Sequence, residues 1–427
     1  MTSPVNGHPA HPAGHPGQST GHPGHPGRGG HPGGHPGGHP DGHPGGHPGG
    51  HGASRRNLDF DSAPFIAIWE TTQACDLACK HCRAMAQPLR DSGELSTAEA
   101  KAMMKRFREF GPIVFVFSGG DCFKRPDIIE LVEYGAQLGL RMGITPATTS
   151  LATKELLQQL KDVGLTRLAI SLDGSNAQIH DEFRRVDGSF DHGLRILREA
   201  QEVGLSTQVN TVIRKANIDD MDAMTELMTT LGVVFWEVFF LVPMGRAKAD
   251  DVASADEFEQ VFHQLYDLSK TAPFDIKATA APQYSRVVMQ RKRAEVRAGA
   301  DEDVRDVMTR GMHYSQSDGI GRARNVNDGD GFVFISHVGD VYPSGFLPVK
   351  AGNIRDDDII EIYRNSPVFQ QLRDRTLLKG KCGVCGYRDA CGGSRARAYA
   401  MTGDYLAEER IMLSCAALTF LGVAALS

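Results

Sequence analysis

The chain has 427 residues, of which 41% are hydrophobic and 23% are charged, and its formal net charge is −6 at pH 7. This length and composition allow at least one large core and are compatible with two domains, while the negative charge gives no reason to expect nucleic-acid binding. The first residues lack the apolar segment of a signal peptide, and no apolar run reaches the roughly 18 residues that span a bilayer. We therefore expect a cytoplasmic protein that binds neither nucleic acid nor membrane.

Residues 1–57 differ in composition from the rest of the chain. His-Pro-Gly and His-Pro-Gly-Gly units repeat from His8 to His51, with almost no residue that could enter a core. Such a segment cannot offset its ordering entropy, so we predict a disordered tail. Imidazoles suit nickel, copper and zinc. The tail is therefore either a metal-sequestering segment or a neutral low-complexity extension.

Strand-like and helix-like segments alternate from Pro64 to Leu241. Strands separated by helices form parallel sheets, so six repeats predict an α/β fold, an open six-stranded relative of the (β/α)8 barrel with its site at the carboxyl ends of the strands. The predicted strands are Phe65–Trp69, Ile113–Phe117, Leu140–Thr145, Arg167–Leu172, Ser206–Val212 and Phe235–Leu241. The predicted helices are Thr97–Phe110, Pro126–Leu138, Lys154–Val163, Phe190–Val203 and Asp219–Leu231.

Three cysteines directly follow the first predicted strand, in the run Cys75-Asp76-Leu77-Ala78-Cys79-Lys80-His81-Cys82. Three thiolates can wrap a metal centre from one loop, but a structural zinc or a closed iron–sulfur cluster normally takes four protein ligands. The C-x3-C-x2-C spacing therefore indicates a cluster with one iron open to a further ligand. The alternative is a zinc knuckle completed by His81 or by a distant residue.

This motif after a first strand resembles the radical S-adenosylmethionine (SAM) superfamily. The resemblance implies a (β/α)6 partial TIM barrel over residues 58–250, with a [4Fe–4S] cluster held by Cys75, Cys79 and Cys82. It also implies that SAM binds the open iron through its amino and carboxylate groups. The reduced cluster then cleaves SAM to a 5′-deoxyadenosyl radical that abstracts hydrogen from a substrate. Such an enzyme needs a reducing electron donor such as flavodoxin or ferredoxin.

Two later strand ends carry further similarity to this family. Ser118-Gly119-Gly120-Asp121 follows the second strand, and its glycines let the backbone approach a ligand closely. It is similar to the GGE motif that contacts the SAM amino group, with Asp121 in place of Glu. Ser171 and Asp173 lie in a Ser-Leu-Asp-Gly run that resembles the ribose-contacting segment. From the residues alone, Asp173 could instead cap a helix.

Two more residues complete the implied SAM site. Arg184 lies in a run similar to one in SPASM-type radical SAM proteins, where the arginine pairs with the SAM carboxylate, and a guanidinium fork suits that contact. Its alternative is a solvated charge at a helix end. Asn210, on the fifth strand, occupies a position that contacts SAM in relatives.

Residues 251–330 are predicted to connect the core to a C-terminal part. Ser254 and Glu257 have the spacing of a capping box, so we predict a helix from Ala255 to Lys270. Residues 273–328 are polar and charged and give no clear pattern of strands or helices. They are either a solvated face or a lid or substrate loop.

A cysteine-rich domain is predicted over residues 331–427. Two strand-like runs across Gly339-Asp340 predict a β-hairpin, and the residues after it resemble the start of a SPASM or twitch domain. Four cysteines follow, Cys382, Cys385, Cys391 and Cys415. They could close one [4Fe–4S] cluster or one zinc site, and the resemblance implies the cluster. Because Ser344 stands where many relatives have a ligating cysteine, we predict one auxiliary [4Fe–4S] cluster.

Among radical SAM proteins, the motifs together resemble the SPASM or twitch enzymes of alternative haem and haem d1 biosynthesis. This resemblance implies an oxidoreductase or lyase acting on the propionate side chains of a tetrapyrrole, with arginines to pair the carboxylates. The candidate arginines are Arg246, Arg324 and Arg395. The alternative enzyme is a maturase of a ribosomally made peptide. A non-enzymatic metal-handling protein would leave the SAM-contacting motifs unexplained.

Overall fold

The computed structural model describes residues 59–299, 312–314, 318, 320–323 and 326–409. The predictions for the tail, for Arg324 and for Cys415 lie outside the described residues. Within the described ranges, every helix is too short or too polar to cross a bilayer.

Six parallel strands lie side by side in the order of the sequence. They are β1 (Ile66–Glu70), β2 (Val114–Ser118), β3 (Arg141–Ile144), β4 (Arg167–Ser171), β5 (Ser206–Ile213) and β6 (Phe235–Phe240). Each agrees with its predicted strand to within one residue at either end. The sequence pattern located these strands well because they are short runs rich in β-branched and aromatic residues between helical segments.

Helices connect consecutive strands and bury one apolar face against the sheet. On the first of them the buried residues are Ala100, Met103, Met104 and Phe107, one helical turn apart or less, and the Phe107 ring packs edge-on against Phe115 of β2. The connecting helices are α1 (Thr97–Arg108), α2 (Ile128–Gln137), α3 (Lys154–Asp162), α4 (Ala177–Arg184), α5 (Ser189–Glu202) and α6 (Met221–Leu231).

The sheet continues beyond the six predicted strands at both edges. β7 (Asp275–Thr279) pairs in parallel with β6. A two-stranded ribbon, β8 (Met312–Tyr314) with β9 (Gly321–Ala323), lies outside this sheet. At the other edge, β10 (Phe332–Ile335) pairs in parallel with β1.

The predicted C-terminal hairpin is confirmed. β10 pairs antiparallel with β11 (Asp340–Tyr342), which pairs antiparallel with β12 (Gly352–Asn353). Because β10 also pairs with β1, this hairpin extends the sheet of the barrel and does not form a separate layer. The C-terminal hairpin and the strand before the first cysteine motif therefore belong to one sheet.

The remaining helices follow β6 in the chain. α7 (Ala255–Leu268) begins at the predicted capping box, where the Ser254 hydroxyl accepts from Glu257 N and the Glu257 carboxylate accepts from Ser254 N at 2.6 Å. α8 (Gln283–Arg297) lies where no element was predicted. The others are α9 (Ile359–Asn365), α10 (Pro367–Arg373), α11 (Gly380–Val384) and α12 (Arg395–Thr402).

Candidate active site

A cavity of about 700 Å³ runs along the inner face of the parallel strands. Its wall includes Cys75, Cys79 and Cys82 from the loop after β1, and also Cys391 from the C-terminal cysteine group. Residues that are far apart in the sequence therefore face one compartment. That arrangement allows a ligand in the cavity to contact both cysteine groups.

Backbone donors point at two of the three sulfur atoms in the loop after β1. Leu77 N lies 3.4 Å from Cys75 Sγ, and Ala86 N lies 3.3 Å from Cys82 Sγ. Burial raises the pKa of Cys75 to about 12, and coordination to a metal deprotonates such a thiol. Donors aimed at sulfur and partly buried cysteines fit the thiolate ligands of an iron–sulfur cluster.

The Gly119-Gly120 turn packs directly on this loop. A Cβ atom on Gly119 would lie 2.5 Å from Thr72 O, and one on Gly120 would lie 2.4 Å from Ala74 O. Gly120 N donates to Thr72 O at 2.7 Å, so the turn and the loop share hydrogen bonds. Ser118, Gly119 and Gly120 all line the cavity. Only glycine leaves room for this backbone contact beside the cysteines.

Asp121 lies outside the cavity wall, in contrast to the predicted SAM contact. Its carboxylate accepts from Phe123 N at 3.1 Å and from Thr149 Oγ1 at 2.7 Å. The side chain is fully buried, and this burial raises the pKa of Asp121 above its ordinary value. The structure therefore assigns the Asp121 side chain to capping the turn after β2, beside the buried thiol of Cys122.

Arg184, at the end of α4, lines the cavity and is held from behind by Asp173. Asp173 Oδ2 accepts from Arg184 Nε at 2.7 Å and from Nη2 at 2.5 Å, while Oδ1 accepts from Val212 N at 2.8 Å. Arg184 Nη1 lies 3.7 Å from Cys79 Sγ. Burial alone would raise the pKa of Asp173, but the Arg184 guanidinium holds it below its ordinary value.

The structure gives Asp173 protein partners, and its predicted ribose contact stays a prediction. Asp173 is fully buried and outside the cavity wall, and both of its carboxylate oxygens already have donors. The sequence could not show this, because the partners Arg184 and Val212 come from α4 and β5. Asp173 is a positioning residue for Arg184.

Ser171 and Asn210 are neighbours on the cavity wall. They are paired in the register of β4 and β5, and both line the cavity. Asn210 Oδ1 accepts from Gln208 Nε2 at 2.7 Å. This bond fixes the orientation of the amide, so that its NH2 end is available to donate to a ligand.

The sequence did not predict a cluster of polar side chains that β5, β6 and β7 bring together. Glu237 accepts from Gln208 Nε2 at 2.9 Å, from Lys277 Nζ at 3.1 Å and from Thr279 Oγ1 at 2.5 Å. All four side chains line the cavity. The available signal was a single glutamate within the otherwise apolar strand Phe-Trp-Glu-Val-Phe-Phe.

Two of the arginines predicted to pair substrate carboxylates, Arg395 and Arg246, lie off the cavity wall. Arg395 is fully buried and donates to the backbone oxygens of Gly393, Tyr405 and Ala407, so that prediction is wrong. Arg246 does not line the cavity. Arg83 and Arg167 do, and each already pairs with a carboxylate. Arg83 Nη2 lies 2.7 Å from Glu70 Oε2, and Arg167 Nε lies 2.7 Å from Asp318 Oδ2.

The described C-terminal cysteines also receive donors at sulfur. Tyr387 N lies 3.4 Å from Cys385 Sγ, Gly393 N lies 3.4 Å from Cys391 Sγ, and Arg395 Nη2 lies 3.6 Å from Cys382 Sγ. None of the described cysteines forms a disulfide. Among the described residues, no group of three or more His, Cys, Asp or Glu side chains converges on a point suited to a single metal ion. In a [4Fe–4S] cluster each thiolate binds its own iron.

Fold and site together define a SAM-dependent iron–sulfur enzyme. The radical SAM superfamily model matches residues 69–228, and the SPASM model, described as an iron-sulfur cluster-binding domain, matches residues 328–386. The fold is similar to that of Streptococcus suis SuiB bound to S-adenosylmethionine, with a TM-score of 0.62 at 15% identity over 81% of this chain and 76% of that one.

Comparison of the whole sequence with known proteins identifies a narrower group of relatives. It is 40% identical to the AdoMet-dependent heme synthase of Methanosarcina barkeri over 82% of this chain and 96% of the relative. It is 42% identical to that of Nitratidesulfovibrio vulgaris over 80% and 90%. The mycofactocin maturase of Mycobacterium tuberculosis is 30% identical over 82% and 81%. The chain belongs to the radical SAM superfamily, within the group that carries a SPASM domain.

The predictions of enzyme class and cofactors are confirmed. The protein is a radical SAM enzyme that uses SAM and a [4Fe–4S] cluster, with auxiliary iron–sulfur binding in its SPASM domain. The alternative of a non-enzymatic metal-handling protein is wrong.

Proposed function

We propose that the enzyme decarboxylates propionate side chains of an iron-porphyrin. The observation that carries this proposal is the 40–42% identity to AdoMet-dependent heme synthases over at least 80% of the chain. Identity to the peptide-modifying mycofactocin maturase is 30% over a similar span. A tetrapyrrole is therefore the favoured substrate and a peptide the alternative.

The proposed SAM site uses residues on the cavity wall. Cys75, Cys79 and Cys82 are the proposed ligands of the first cluster. Together, the bound cluster and SAM supply a 5′-deoxyadenosyl radical that takes a hydrogen atom from the substrate. The residues proposed to bind SAM are Ser118, Gly119, Gly120, Ser171, Arg184 and Asn210, all of which line the cavity.

Arg184 is suited to the carboxylate of SAM because its position is fixed. Asp173 holds Nε and Nη2, and Nη1 points toward Cys79. A guanidinium already oriented in this way loses little side-chain entropy on binding. Its charge also compensates an anionic group that would otherwise be buried unpaired.

The rest of the cavity fits an apolar macrocycle with carboxylates at its rim. Its volume of about 700 Å³ is within the usual range for sites that enclose a small molecule. Its wall combines apolar side chains such as Val116 and Phe239 with the cations Arg83, Arg167 and Lys277. Each of these cations pairs with a carboxylate of the protein, so a bound propionate would share the cation with that carboxylate.

The proposed reaction also releases one electron from the substrate. Loss of one hydrogen atom and of CO2 from a propionate leaves a vinyl group and one electron. A one-electron acceptor is therefore needed near the substrate, and Cys391 places the second cysteine group on the same cavity wall. We propose Cys382, Cys385, Cys391 and Cys415 as ligands of one auxiliary cluster. A low-potential donor such as flavodoxin or ferredoxin is proposed to reduce the first cluster.

The test is an anaerobic turnover with reconstituted protein, SAM, reductant and iron-coproporphyrin III. Mass spectrometry of the porphyrin should show loss of CO2 and two hydrogen atoms per protonated propionate, and 5′-deoxyadenosine should accumulate. Cys79→Ala, which removes one proposed ligand of the first cluster, should abolish both products. If 5′-deoxyadenosine forms while the porphyrin stays intact, the tetrapyrrole proposal is rejected and peptides encoded beside the gene become the substrates to test.

A further inference from the structure

Arg395 is a fully buried cation placed against a sulfur atom. It is the first residue of α12, and its side chain has no solvent exposure. Nη2 lies 3.6 Å from Cys382 Sγ. Nε donates to Gly393 O at 3.2 Å, and Nη1 donates to Tyr405 O at 2.9 Å and to Ala407 O at 2.8 Å.

Two other arginines, one beside a cysteine sulfur and one on the same helix, have a carboxylate in direct contact. Arg184, which contacts Cys79 Sγ, is paired with Asp173. Arg397, two residues after Arg395 on α12, is paired with Glu409. Among the described residues, Arg395 hydrogen-bonds to three backbone oxygens and the Cys382 sulfur, and the carboxylates of Asp328 and Asp404 interact with its charge without a hydrogen bond to it. A buried charge is stable only with compensation, and the Cys382 sulfur, which would be a thiolate when it binds a cluster, is the side-chain atom that Arg395 contacts directly.

The backbone beside Arg395 is shaped to permit this contact. Gly393 has φ +68°, and a Cβ atom there would lie 2.3 Å from Arg395 Nη2 and 3.2 Å from Cys382 Sγ. A side chain at position 393 would therefore displace the guanidinium from the sulfur. The contact between Arg395 and Cys382 thus requires glycine at position 393 and arginine at position 395.

We propose that Arg395 raises the reduction potential of the auxiliary cluster, given that Cys382 binds this cluster as in the proposed function. Each reduction adds one negative charge to the cluster and its thiolates. A buried cation that also donates to a ligating sulfur stabilises the reduced form, because hydrogen bonds to sulfur and local charge set cluster potentials. The auxiliary cluster would then accept more readily the electron that decarboxylation releases. Arg395 is a positioning and tuning residue and does not contact the substrate.

The test compares cluster potentials in full-length reconstituted variants by redox titration followed by EPR. Arg395→Gln removes the charge. Arg395→Lys keeps the charge but loses the fork that reaches three oxygens and the sulfur. Arg388→Gln is the matched control, because Arg388 belongs to the same cysteine loop but is 34% exposed and paired with Asp389. The first cluster, identified by its change in EPR signal with SAM, is the internal control.

We expect Arg395→Gln to lower the ratio of reduced to oxidised auxiliary cluster about tenfold at a fixed ambient potential, which is about 59 mV for one electron. Arg395→Lys should lower it less, and Arg388→Gln should leave it unchanged. The potential of the first cluster should not change in any variant. A solely structural role would alter iron content or unfolding without moving the potential of the cluster that remains.

Several outcomes would overturn the proposal. A wild-type potential in Arg395→Gln, or an equal fall in Arg388→Gln, rejects a specific effect of Arg395. If Arg395→Gln loses the auxiliary cluster, Arg395→Lys decides: a fall in potential supports the proposal and an unchanged potential rejects it. Wild-type protein that binds only about four irons, as for a single cubane, rejects the auxiliary cluster of the proposed function as well.

Discussion

Asp173 and Arg184 show how one buried ion pair fixes the orientation of a residue on the cavity wall. Asp173→Asn keeps the shape of the side chain but leaves Arg184 buried without its anion. Breaking such a pair costs about 3–5 kcal/mol of unfolding free energy. We expect that loss in anaerobic denaturation, together with a weaker effect of SAM on the EPR signal of the first cluster.

The matched control for this variant is Glu202→Gln. Glu202 pairs with Lys154 on the surface, where both side chains are about half exposed, and such pairs contribute little. Its unfolding and its SAM response should match wild type. Equal effects of the two variants would contradict the positioning role of Asp173.

His337 provides a pH-dependent contact between β1 and the turn after β10. His337 Nδ1 lies 3.0 Å from Glu70 Oε1, and Asp91 and Glu94 add negative charge nearby. Burial alone would lower the pKa of His337, but the hydrogen bond to Glu70 and these charges raise it overall above 6.5. A raised folded-state pKa stabilises the fold at low pH, and this contribution is lost as pH rises through the folded-state value.

We therefore expect His337 to make the slope of the unfolding free energy against pH more negative above the ordinary histidine pKa of about 6.5. The lowered pKa values of His81 and His180, to about 3 and about 4, act in the opposite direction up to that pH. His337→Gln should make this slope less negative in urea unfolding.

Glu70 has a lowered pKa, so the stability that it contributes is fully present above its ordinary pKa of 4.5. That contribution therefore does not change in the pH range where His337 titrates. His263→Gln, at a half-exposed site beside Glu259, should keep the slope. An unchanged slope in His337→Gln would remove His337 as its source.

Gly120 tests how closely the turn after β2 must approach the cysteine loop. The atoms that a new Cβ would meet, Ala74 O and Gln73 O at 2.4 and 2.6 Å, belong to the backbone and cannot rotate away. Gly120→Ala should therefore lower the iron content of the first cluster and abolish 5′-deoxyadenosine formation. Gly386→Ala has open space around its Cβ and should retain both. Full iron content and activity in Gly120→Ala would show that the loop can move.

At the level of elements, α7 offers a test of local helix capping separated from the site. Ser254→Ala removes the acceptor for Glu257 N and should lower the unfolding free energy by about 1 kcal/mol. Ser254→Thr retains a capping hydroxyl and should change it less. Neither variant should change the iron content. A loss of iron in Ser254→Ala would mean that α7 supports the cysteine loops more directly than its contacts show.

The six central strands could be predicted because their apolar runs are local signals, but β7 and α8 could not. In β7, Ile276 is the one fully buried side chain, and Lys277 and Thr279 turn toward Glu237. In α8, buried positions include polar residues such as Gln283 and Arg286, which are compensated by Glu409 and Glu259. Polarity that is satisfied by distant partners looks like a solvated surface in the sequence.

In the candidate site, too, local motifs could be predicted from the sequence, and roles that depend on distant partners could not. The cysteines and the glycine pair form short motifs whose spacing alone indicates their grouping. The roles of Asp173, Asp121 and Arg395 depend on partners from other elements, namely Val212, Thr149 and the 405–407 segment. Those contacts arise only when the elements pack, so residue type and spacing could not reveal the partners of these three side chains.

For the whole molecule, the number of clusters is the testable quantity. Ser344, where many relatives were expected to have a ligating cysteine, is buried and donates its hydroxyl hydrogen to Asp328. We therefore expect about eight irons per chain after full anaerobic reconstitution, at four per cubane cluster. Iron analysis that gives about twelve would contradict a single auxiliary cluster. Cys382→Ala should lower the count, whereas Cys122→Ala, a buried core position, should not.

The shared cavity also bears on how the protein meets dioxygen. Cys75, Cys79, Cys82 and Cys391 face one compartment, so a small oxidant that enters it gains access to both proposed metal centres by the same route. A substrate bound in the cavity would occupy that route. We therefore expect the enzyme without substrate to lose iron in air faster than the enzyme with substrate bound.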